Sequence, residues 1–360
     1  MHRSALPLRS PLCAALLLGL ALVPTSLLAQ QGRTRPVGYV VQTIPPGQTR
    51  SFSVPFDAGL SRQTGTVGVL TAVGDGYVEN SAARWTPGAF TNPGSPYFLR
   101  LTSGVHAGRT FRIDLPANTA TRLHLADDGL GLASLGVETG AAGARYEIVP
   151  GDTLATFFGT NAPGDTLVVH GAADPLQADV VQVWGGAAWL NFYYNTAWNR
   201  WARDLDVQSD PSRNDFLLRS DRGIMITRRG STPLELSVLG RVLATPQRAV
   251  HTRAENAFTF LATMQTGDIT LGALALQSGN RTAGWRGGAD ASQADLLFVW
   301  SGASWFGFYY NTTNNRWQLA GDPADRDGFV LKVGTPVFVQ RRAAGTTAAD
   351  KTIVFPAQGG

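Results

Sequence analysis

The sequence predicts an all-β fold of tandem β-sandwich or barrel-like repeats, each about 100–115 residues long and built from meanders. Residues 177–201 and 293–317 match at 16 of 25 positions with a constant offset of 116, and such self-similarity indicates a folding unit used more than once. Gly and Pro recur about every 8–12 residues between segments rich in Val, Thr and aromatic residues, which is typical of many short strands. We find no amphipathic pattern of ten residues that would predict a helix.

The N-terminal segment, residues 1–29, is predicted to be a secretory signal peptide. Arg3 and Arg9 form a basic start, an apolar run covers residues 11–23, and Ala29 suits the last position before cleavage. The run is shorter than the roughly 20 apolar residues that cross a bilayer, although a retained anchor is the alternative. We therefore expect a secreted, periplasmic or cell-envelope protein without a membrane span in the mature chain.

Cysteine content and charge narrow the function classes. The only cysteine, Cys13, lies in the predicted signal peptide, so an exported mature chain would have no disulfide and would depend on its cores. The whole chain has 30 basic and 26 acidic residues. Removing Arg3 and Arg9 leaves a net charge of +2, which is too small to predict a nucleic-acid partner.

The duplicated stretch has the pattern of a three-stranded meander. In the first occurrence we predict strands over residues 179–184 and 189–194 and a third strand beginning at Arg200. Because side chains alternate between the two faces of a strand, one face of each middle strand is apolar and is predicted to be core. That face carries Leu190, Phe192 and Tyr194, and Phe306, Phe308 and Tyr310 in the second occurrence.

The repeat predicts the domain organisation. Residues 215–229 and 328–342 also match and end in an Arg pair. Residues 38–56 parallel residues 240–262, which suggests a third, diverged unit at the start. Two repeats behind an unrelated N-terminal domain are the alternative. The predicted domains are a diverged β unit over residues 30–143, a β repeat over residues 144–242 and a β repeat over residues 243–360.

Several segments resemble a family of signal-peptide-bearing secreted proteins of Verrucomicrobia and related bacteria. The segments are VGYVVQTIPPG (37–47), FSVPF (52–56), YFLRLTSG (97–104), RTFRIDLPANTATRLHL (109–125), YEIVPGDTLATFFG (146–159) and the two meanders. The resemblance covers nearly all of the mature chain. It implies export and β-rich units, and no activity comes with it.

The sequence does not mark a catalytic or metal site. The Gly-x-Ser-x-Gly motif is missing, and no two histidines have ligand spacing. His124 with Asp127 and Asp128 reads better as a solvated loop, and the Asp residues of 321–328 depart from the spacing of a calcium loop. No pair of carboxylates is marked for glycoside hydrolysis. We therefore expect a non-catalytic chain with no cofactor and no bound metal.

The paired aromatic residues are the best candidates for a binding site. Flat rings in an exposed row could stack on sugars, whereas the alternative is that they fill the β cores. Trp201 and Trp317, which lie beside turns, are expected to be the most exposed. The candidate binding residues are Trp189, Tyr193, Trp201, Trp305, Tyr309 and Trp317, with Asn195, Asn311, Arg200 and Arg316 beside them.

These observations predict an exported, non-catalytic β-repeat protein with a structural or adhesive role in the envelope or extracellular space. One alternative is a carbohydrate-binding module that uses the paired Trp/Tyr platforms. Another is a glycan-active enzyme with an inter-domain cleft, because ligand pockets often form between domains. The expected partner is a glycan or a cell-surface component.

Overall fold

Short antiparallel strands form nearly all of the regular structure. The computed structural model describes residues 36–54, 56, 65–114, 118–126, 135–243, 246–250, 257–276, 285–342 and 352–357. Strands hold 41% of the residues and helices 4%, so the predicted all-β class is confirmed. The predicted signal peptide, residues 1–29, lies outside the described residues.

The described strands fall into three groups in chain order. The first group is β1 (Val37–Ile44) and β2 (Thr49–Phe52). The second is β3 (Val67–Val69), β4 (Ala72–Gly74), β5 (Tyr77–Glu79), β6 (Tyr97–Leu101), β7 (Thr110–Arg112), β8 (Arg122–His124) and β9 (Arg145–Pro150). The third is β10 (Asp152–Thr153), β11 (Val180–Trp184), β12 (Trp189–Asn195), β13 (Arg200–Arg203), β14 (Leu217–Leu218), β15 (Ile224–Thr227), β16 (Leu234–Arg241), β17 (Gln247–Val250), β18 (Phe258–Ala262), β19 (Ile269–Thr270), β20 (Leu296–Trp300), β21 (Trp305–Asn311), β22 (Arg316–Leu319), β23 (Val330–Leu331), β24 (Pro336–Gln340) and β25 (Thr352–Phe355).

Helical segments are short. The helix α1 (Leu154–Phe158) begins after Thr153, whose hydroxyl accepts a hydrogen bond from the Thr156 amide at 3.2 Å. Such a cap satisfies an amide that has no partner within the helix. Among the described residues, single 3₁₀ turns cover Gly140–Ala142 and Gly272–Leu274.

Two five-stranded sheets have the same strand order. One runs β13-β12-β11-β15-β2 and the other β22-β21-β20-β24-β18. In each, the duplicated stretch forms the central meander, with Phe192 opposite Val181 and Phe308 opposite Leu297. We call β1, β2 and β10–β16 the first copy and β17–β25 the second copy.

The meander turns explain the Gly and Asn residues that both copies share. Gly186 has a φ of 97° and Gly302 a φ of 100°, in the left-handed region that glycine enters without a steric penalty. Asn199 and Asn315 close the next turn with φ values of 52° and 50°. Asparagine tolerates that region better than most residues.

Each five-stranded sheet packs on two smaller sheets to enclose a core. In the first copy these are β1–β16 and β10–β14, and in the second copy β17–β25 and β19–β23. Phe192 and Tyr194 are 0% exposed and Phe308 is 2% exposed, so the predicted core face is confirmed at these positions. Phe306, predicted on the same face, is 41% exposed because it lies at the start of β21, beside the turn. The first core includes Ile44, Phe52, Phe158, Trp201 and Leu236, and the second includes Leu261, Trp285, Trp317, Val339 and Phe355.

The strands from β3 to β9 form a third core. The sheet β3-β9-β6-β7 and the sheet β4-β5-β8 enclose it, with Leu70, Leu99, Leu123 and Tyr146 among the buried side chains. In the chain, these strands come between β2 and β10 of the first copy. In the second copy, residues 263–268 alone separate β18 from β19. The third core is therefore an insertion into the first copy.

The strand pairing crosses the boundary that the sequence predicts near residue 143. Phe52 pairs with Ile224, and all of β1 pairs with β16, so the first strands of the chain belong to the first copy. The parallel between residues 38–56 and 240–262 reflects this, because β2 and β18 lie beside β15 and β24, respectively. The domain ranges 30–143, 144–242 and 243–360 stay a prediction.

Candidate functional site

Trp201 and Trp317, expected to be the most exposed rings, are both 0% exposed. That expectation is wrong, because strand pairing places them opposite Tyr194 and Tyr310, on the face that points into each core. The Trp201 ring lies 5.6 Å from that of Phe158. Its indole N–H donates to the Gly159 carbonyl at 3.0 Å. These two tryptophans fill cores and offer no stacking surface.

Tyr193 and Tyr309, at 3% and 8% exposed, are also buried. They lie on the opposite face of the meander from the main cores. The Asn195 amide donates to the Tyr193 hydroxyl at 2.9 Å and to the Ala173 carbonyl at 3.2 Å. Asn311 donates to the Ala289 carbonyl at 2.9 Å in the second copy. The two asparagines, predicted to bond ligand hydroxyls, hold the turns of the meander.

Arg200 and Arg316 bond turn carbonyls. The Arg200 guanidinium donates to the Val207 and Gln208 carbonyls at 3.3 and 2.9 Å. The Arg316 guanidinium donates to the Pro323 carbonyl at 3.0 Å. These contacts fasten the loop after β13 or β22 to the strand, which is a structural role that local sequence could not distinguish from ligand binding.

Trp189 and Trp305, the last of the ten candidates, are half-buried between the two copies. The Phe338 ring lies 5.5 Å from Trp189 and 5.0 Å from Trp305, and Phe260 contacts both tryptophans at 5.5 and 5.9 Å. Edge-to-face pairs of this kind add about 0.5–1.5 kcal/mol beyond buried area. We call the set the aromatic cluster; it comprises Trp184, Trp189, Met225, Phe258, Phe260, Phe298, Trp300, Trp305 and Phe338.

The two copies contact each other reciprocally around the aromatic cluster. The Trp184 indole of the first copy donates to the Phe258 carbonyl of the second at 2.9 Å. The Trp300 indole of the second copy donates to the Thr49 carbonyl of the first at 3.0 Å. Thr49 and Phe258 occupy equivalent strand positions, so the contact is of the isologous type found at two-fold interfaces.

Buried aspartates fix the Arg pairs noticed in the sequence. Asp179 is 0% exposed and accepts hydrogen bonds from the His170 and Arg229 amides at 2.8 and 2.7 Å, and its carboxylate also pairs with the Arg228 guanidinium. Asp295 holds Arg341 and the Arg342 amide in the second copy at 3.3 and 3.0 Å. Burial raises the pKa of Asp295 despite the nearby guanidinium of Arg341. Sequence reasoning missed both aspartates, although each lies at the same position of the duplicated stretch.

The carboxylates of residues 321–328, which were considered and set aside as a calcium loop, have protein partners. Asp327 accepts from the Trp317 amide at 2.7 Å, and Asp325 accepts from the Asp327 amide at 2.8 Å. Asp322 accepts from the Ala324 amide at 2.9 Å. Among the residues that the structure describes, no group of three His, Cys, Asp or Glu side chains could hold a metal ion. Asp127 and Asp128, considered with His124, lie outside the described residues.

A cleft of about 330 Å³, which is large enough for a small ligand, lies between the copies. We call it the inter-copy cleft. Its walls are mostly apolar, and the charged side chains among the described lining residues are those of Arg219 and Arg222. The lining residues are Val183, Trp184, Gly185, Gly186, Leu190, Phe216, Leu217, Leu218, Arg219, Arg222, Gly223, Ile224, Thr259 and Phe260. A smaller cleft beside it shares Arg219 and Arg222 and adds the carboxylate of Asp152.

Asp221 joins the two arginines at the edge of the inter-copy cleft. Its carboxylate forms a two-pronged ion pair with Arg219, at 2.9 and 3.1 Å, and lies 3.9 Å from Arg222 Nε. Burial alone would raise the pKa of Asp221, but the two guanidiniums outweigh it and hold that pKa well below its usual range. The carboxylate of Asp221 therefore lies near two guanidiniums, and its bidentate pair with Arg219 is of the strong, charge-assisted kind.

Comparison with protein-family models, curated proteins and solved structures finds no match to this chain. Within the described ranges, no helix is long and apolar enough to cross a membrane.

Proposed function

We propose that the chain is an exported, non-catalytic β-repeat protein with a structural or adhesive role in the envelope or extracellular space. The supporting observation is the reciprocal contact between the copies, in which Trp184 and Trp300 exchange indole hydrogen bonds around a shared aromatic cluster. Such a contact holds the two sandwich units in a fixed arrangement, so that they do not move independently. A firm, disulfide-free assembly of β units suits a protein that supports or attaches to a surface.

The positions of the ten candidate binding residues count against the alternative of paired stacking platforms. Trp201, Trp317, Tyr193 and Tyr309 are buried, and Trp189 and Trp305 pack between the copies. If these rings are core, Trp201→Ala and Trp317→Ala will unfold their copies. On a stacking surface the same variants would stay folded and lose glycan binding, which circular dichroism and a glycan array distinguish.

The proposed role is tested with the purified chain on a panel of polysaccharides and esters, and in pull-downs against cell-wall and extracellular polysaccharide fractions. We expect no turnover of any polysaccharide or ester. In the pull-downs we expect the chain to bind one polysaccharide fraction, and the Asp152→Asn variant to bind it equally well. This substitution removes the carboxylate that lines the smaller cleft. Robust hydrolysis that one Asp or Glu substitution abolishes would overturn the non-catalytic assignment and favour the enzyme alternative.

A further inference from the structure

The inter-copy cleft lies beside the Gly186 turn, on one side of a nearly symmetric contact. On its side, the turn at Gly186 faces Thr259, and no heavy atom lies within 4 Å of the place where a Gly186 Cβ would be. On the equivalent side, Gly302 takes the place of Gly186 and Arg50 takes the place of Thr259, since Arg50 pairs with Ile226 as Thr259 pairs with Val339.

Arg50 fills the equivalent space. Its Nη1 atom would lie 2.2 Å from a Cβ placed on Gly302, so the guanidinium reaches the turn itself. Threonine at position 259 is too short to do the same, and the cleft on that side stays open. The two sides therefore differ in the side chain that faces the meander turn.

The loop before β15 also differs between the copies, in the number and type of its charged residues. The first copy has Arg219, Asp221 and Arg222, whereas the second has Lys332, Gly334 and Thr335 at the matching positions. Lys332 lies on the surface, paired with Asp268 at 2.7 Å. Of the charged residues in these two loops, Arg219 and Arg222 line the open cleft.

We propose that the inter-copy cleft binds a small organic anion with an apolar body. Its volume of about 330 Å³ falls at the lower end of the range of small-molecule sites, which are largely apolar with a few polar groups that fix orientation. The anionic group would face the guanidiniums of Arg219 and Arg222, whose forked donors match a carboxylate. The body would pack against Leu190, Phe216 and Phe260.

The test is calorimetric titration of the chain with benzoate, which has both an anionic group and an apolar body. Acetate supplies the charge alone, benzyl alcohol supplies the ring alone, and glucuronate supplies a charge on a polar body. We expect one benzoate site per chain, at least tenfold tighter than for the other three probes, and weaker at high salt. Glucuronate binding more tightly than benzoate would overturn the apolar-body assignment, and no saturable binding of any probe would overturn the site.

The equivalent positions supply matched variants. Thr259→Arg introduces the residue that fills the other side, and we expect benzoate affinity to fall at least tenfold, while Arg50→Thr leaves both affinity and stoichiometry unchanged. Arg222→Gln, which keeps the cleft open, should weaken binding about tenfold, and Lys332→Gln should not. Circular dichroism confirms that each variant is folded. Unchanged binding in folded Arg222→Gln, or a second benzoate site in Arg50→Thr, would show that the guanidiniums do not determine the site.

Discussion

Phe192 and Phe308 lie at equivalent places in the two meanders and are almost fully buried. Their neighbours on the opposite face differ between the copies for a local reason. Asn191 accepts a hydrogen bond from the Gln182 amide at 3.0 Å and donates one to Asp204 at 2.8 Å. In the second copy the ring of Phe298 lies over Gly307, where a Cβ would be 2.8 Å from the ring.

Truncating either buried phenylalanine should therefore be far more damaging than changing its neighbour. Phe192→Ala and Phe308→Ala are each expected to lower the free energy of unfolding by about 3–5 kcal/mol, since each leaves a cavity. Asn191→Gly should lower it by roughly 1 kcal/mol. Urea unfolding followed by circular dichroism measures all three. Equal, small losses at Phe192 and Asn191 would mean that the two faces of β12 are assigned the wrong way round.

At the scale of the elements, the loop between β14 and β15 of the first copy is hydrogen-bonded to β18 of the second copy. The Ala262 amide donates to the Asp221 carbonyl at 3.1 Å, and the Gly223 amide donates to the Phe260 carbonyl at 3.2 Å. The residue equivalent to Gly223 is Pro336, which has no amide hydrogen to donate. The loop that carries Arg219, Asp221 and Arg222 is thus hydrogen-bonded to the second copy. The matching loop of the second copy lacks the donor that Gly223 supplies.

The pKa of Asp221 predicts a pH dependence. Its pKa in the folded chain is below the ordinary value of 3.8, so its stabilising contribution is complete above about pH 4 and is lost as the pH falls further. Asp221→Asn is expected to lower the free energy of unfolding by about 1–3 kcal/mol at pH 7. This difference between the variant and the unaltered chain should shrink at pH 2.5 in urea unfolding experiments.

Asp295→Asn provides the opposite control. Burial raises the pKa of Asp295 in the folded chain, so ionisation there weakens the fold as the pH rises above 3.8. The stability of this variant relative to the unaltered chain should therefore improve as the pH rises, while that of Asp221→Asn worsens. Parallel changes in the two variants would show that the two carboxylates do not have opposite pKa shifts.

At the scale of the whole molecule, the aromatic cluster decides how the copies unfold. Separate cores, which the repeat predicts, would let each copy melt in its own transition. Phe338 of the second copy contacts Trp184 and Trp189 of the first, so loss of one copy exposes the interface of the other. We therefore expect both copies to unfold together.

Phe338→Ala tests this coupling. It should lower stability by about 3–5 kcal/mol and split the calorimetric transition, because the copies then lose their shared rings. Val339→Ala is the control, since Val339 is the next residue on β24 and points into the core of the second copy. It should lower stability and keep one transition. Two transitions in the unaltered chain would contradict the coupling.

Much of the architecture was predictable from sequence because it depends on local chemistry. The repeat at an offset of 116, the strand alternation around Phe192 and Phe308, and the glycines of the meander turns all predict features that the structure contains. The role of the segment before residue 56 was harder to predict. Its strands pair with residues 224–241, far along the chain, across an inserted pair of sheets.

The sequence by itself determined the all-β class, the duplication and the core face of each meander, since turn preferences and the period of two act between near neighbours. Only the tertiary structure decided what the aromatic pairs do. The second face of a sheet looks alike in sequence whether it meets water or another sheet, and Trp189 and Trp305 lie in the aromatic cluster that the two copies share. The same contact made the inter-copy cleft, because Thr259 of one copy meets the Gly186 turn of the other only when the two copies pack against each other.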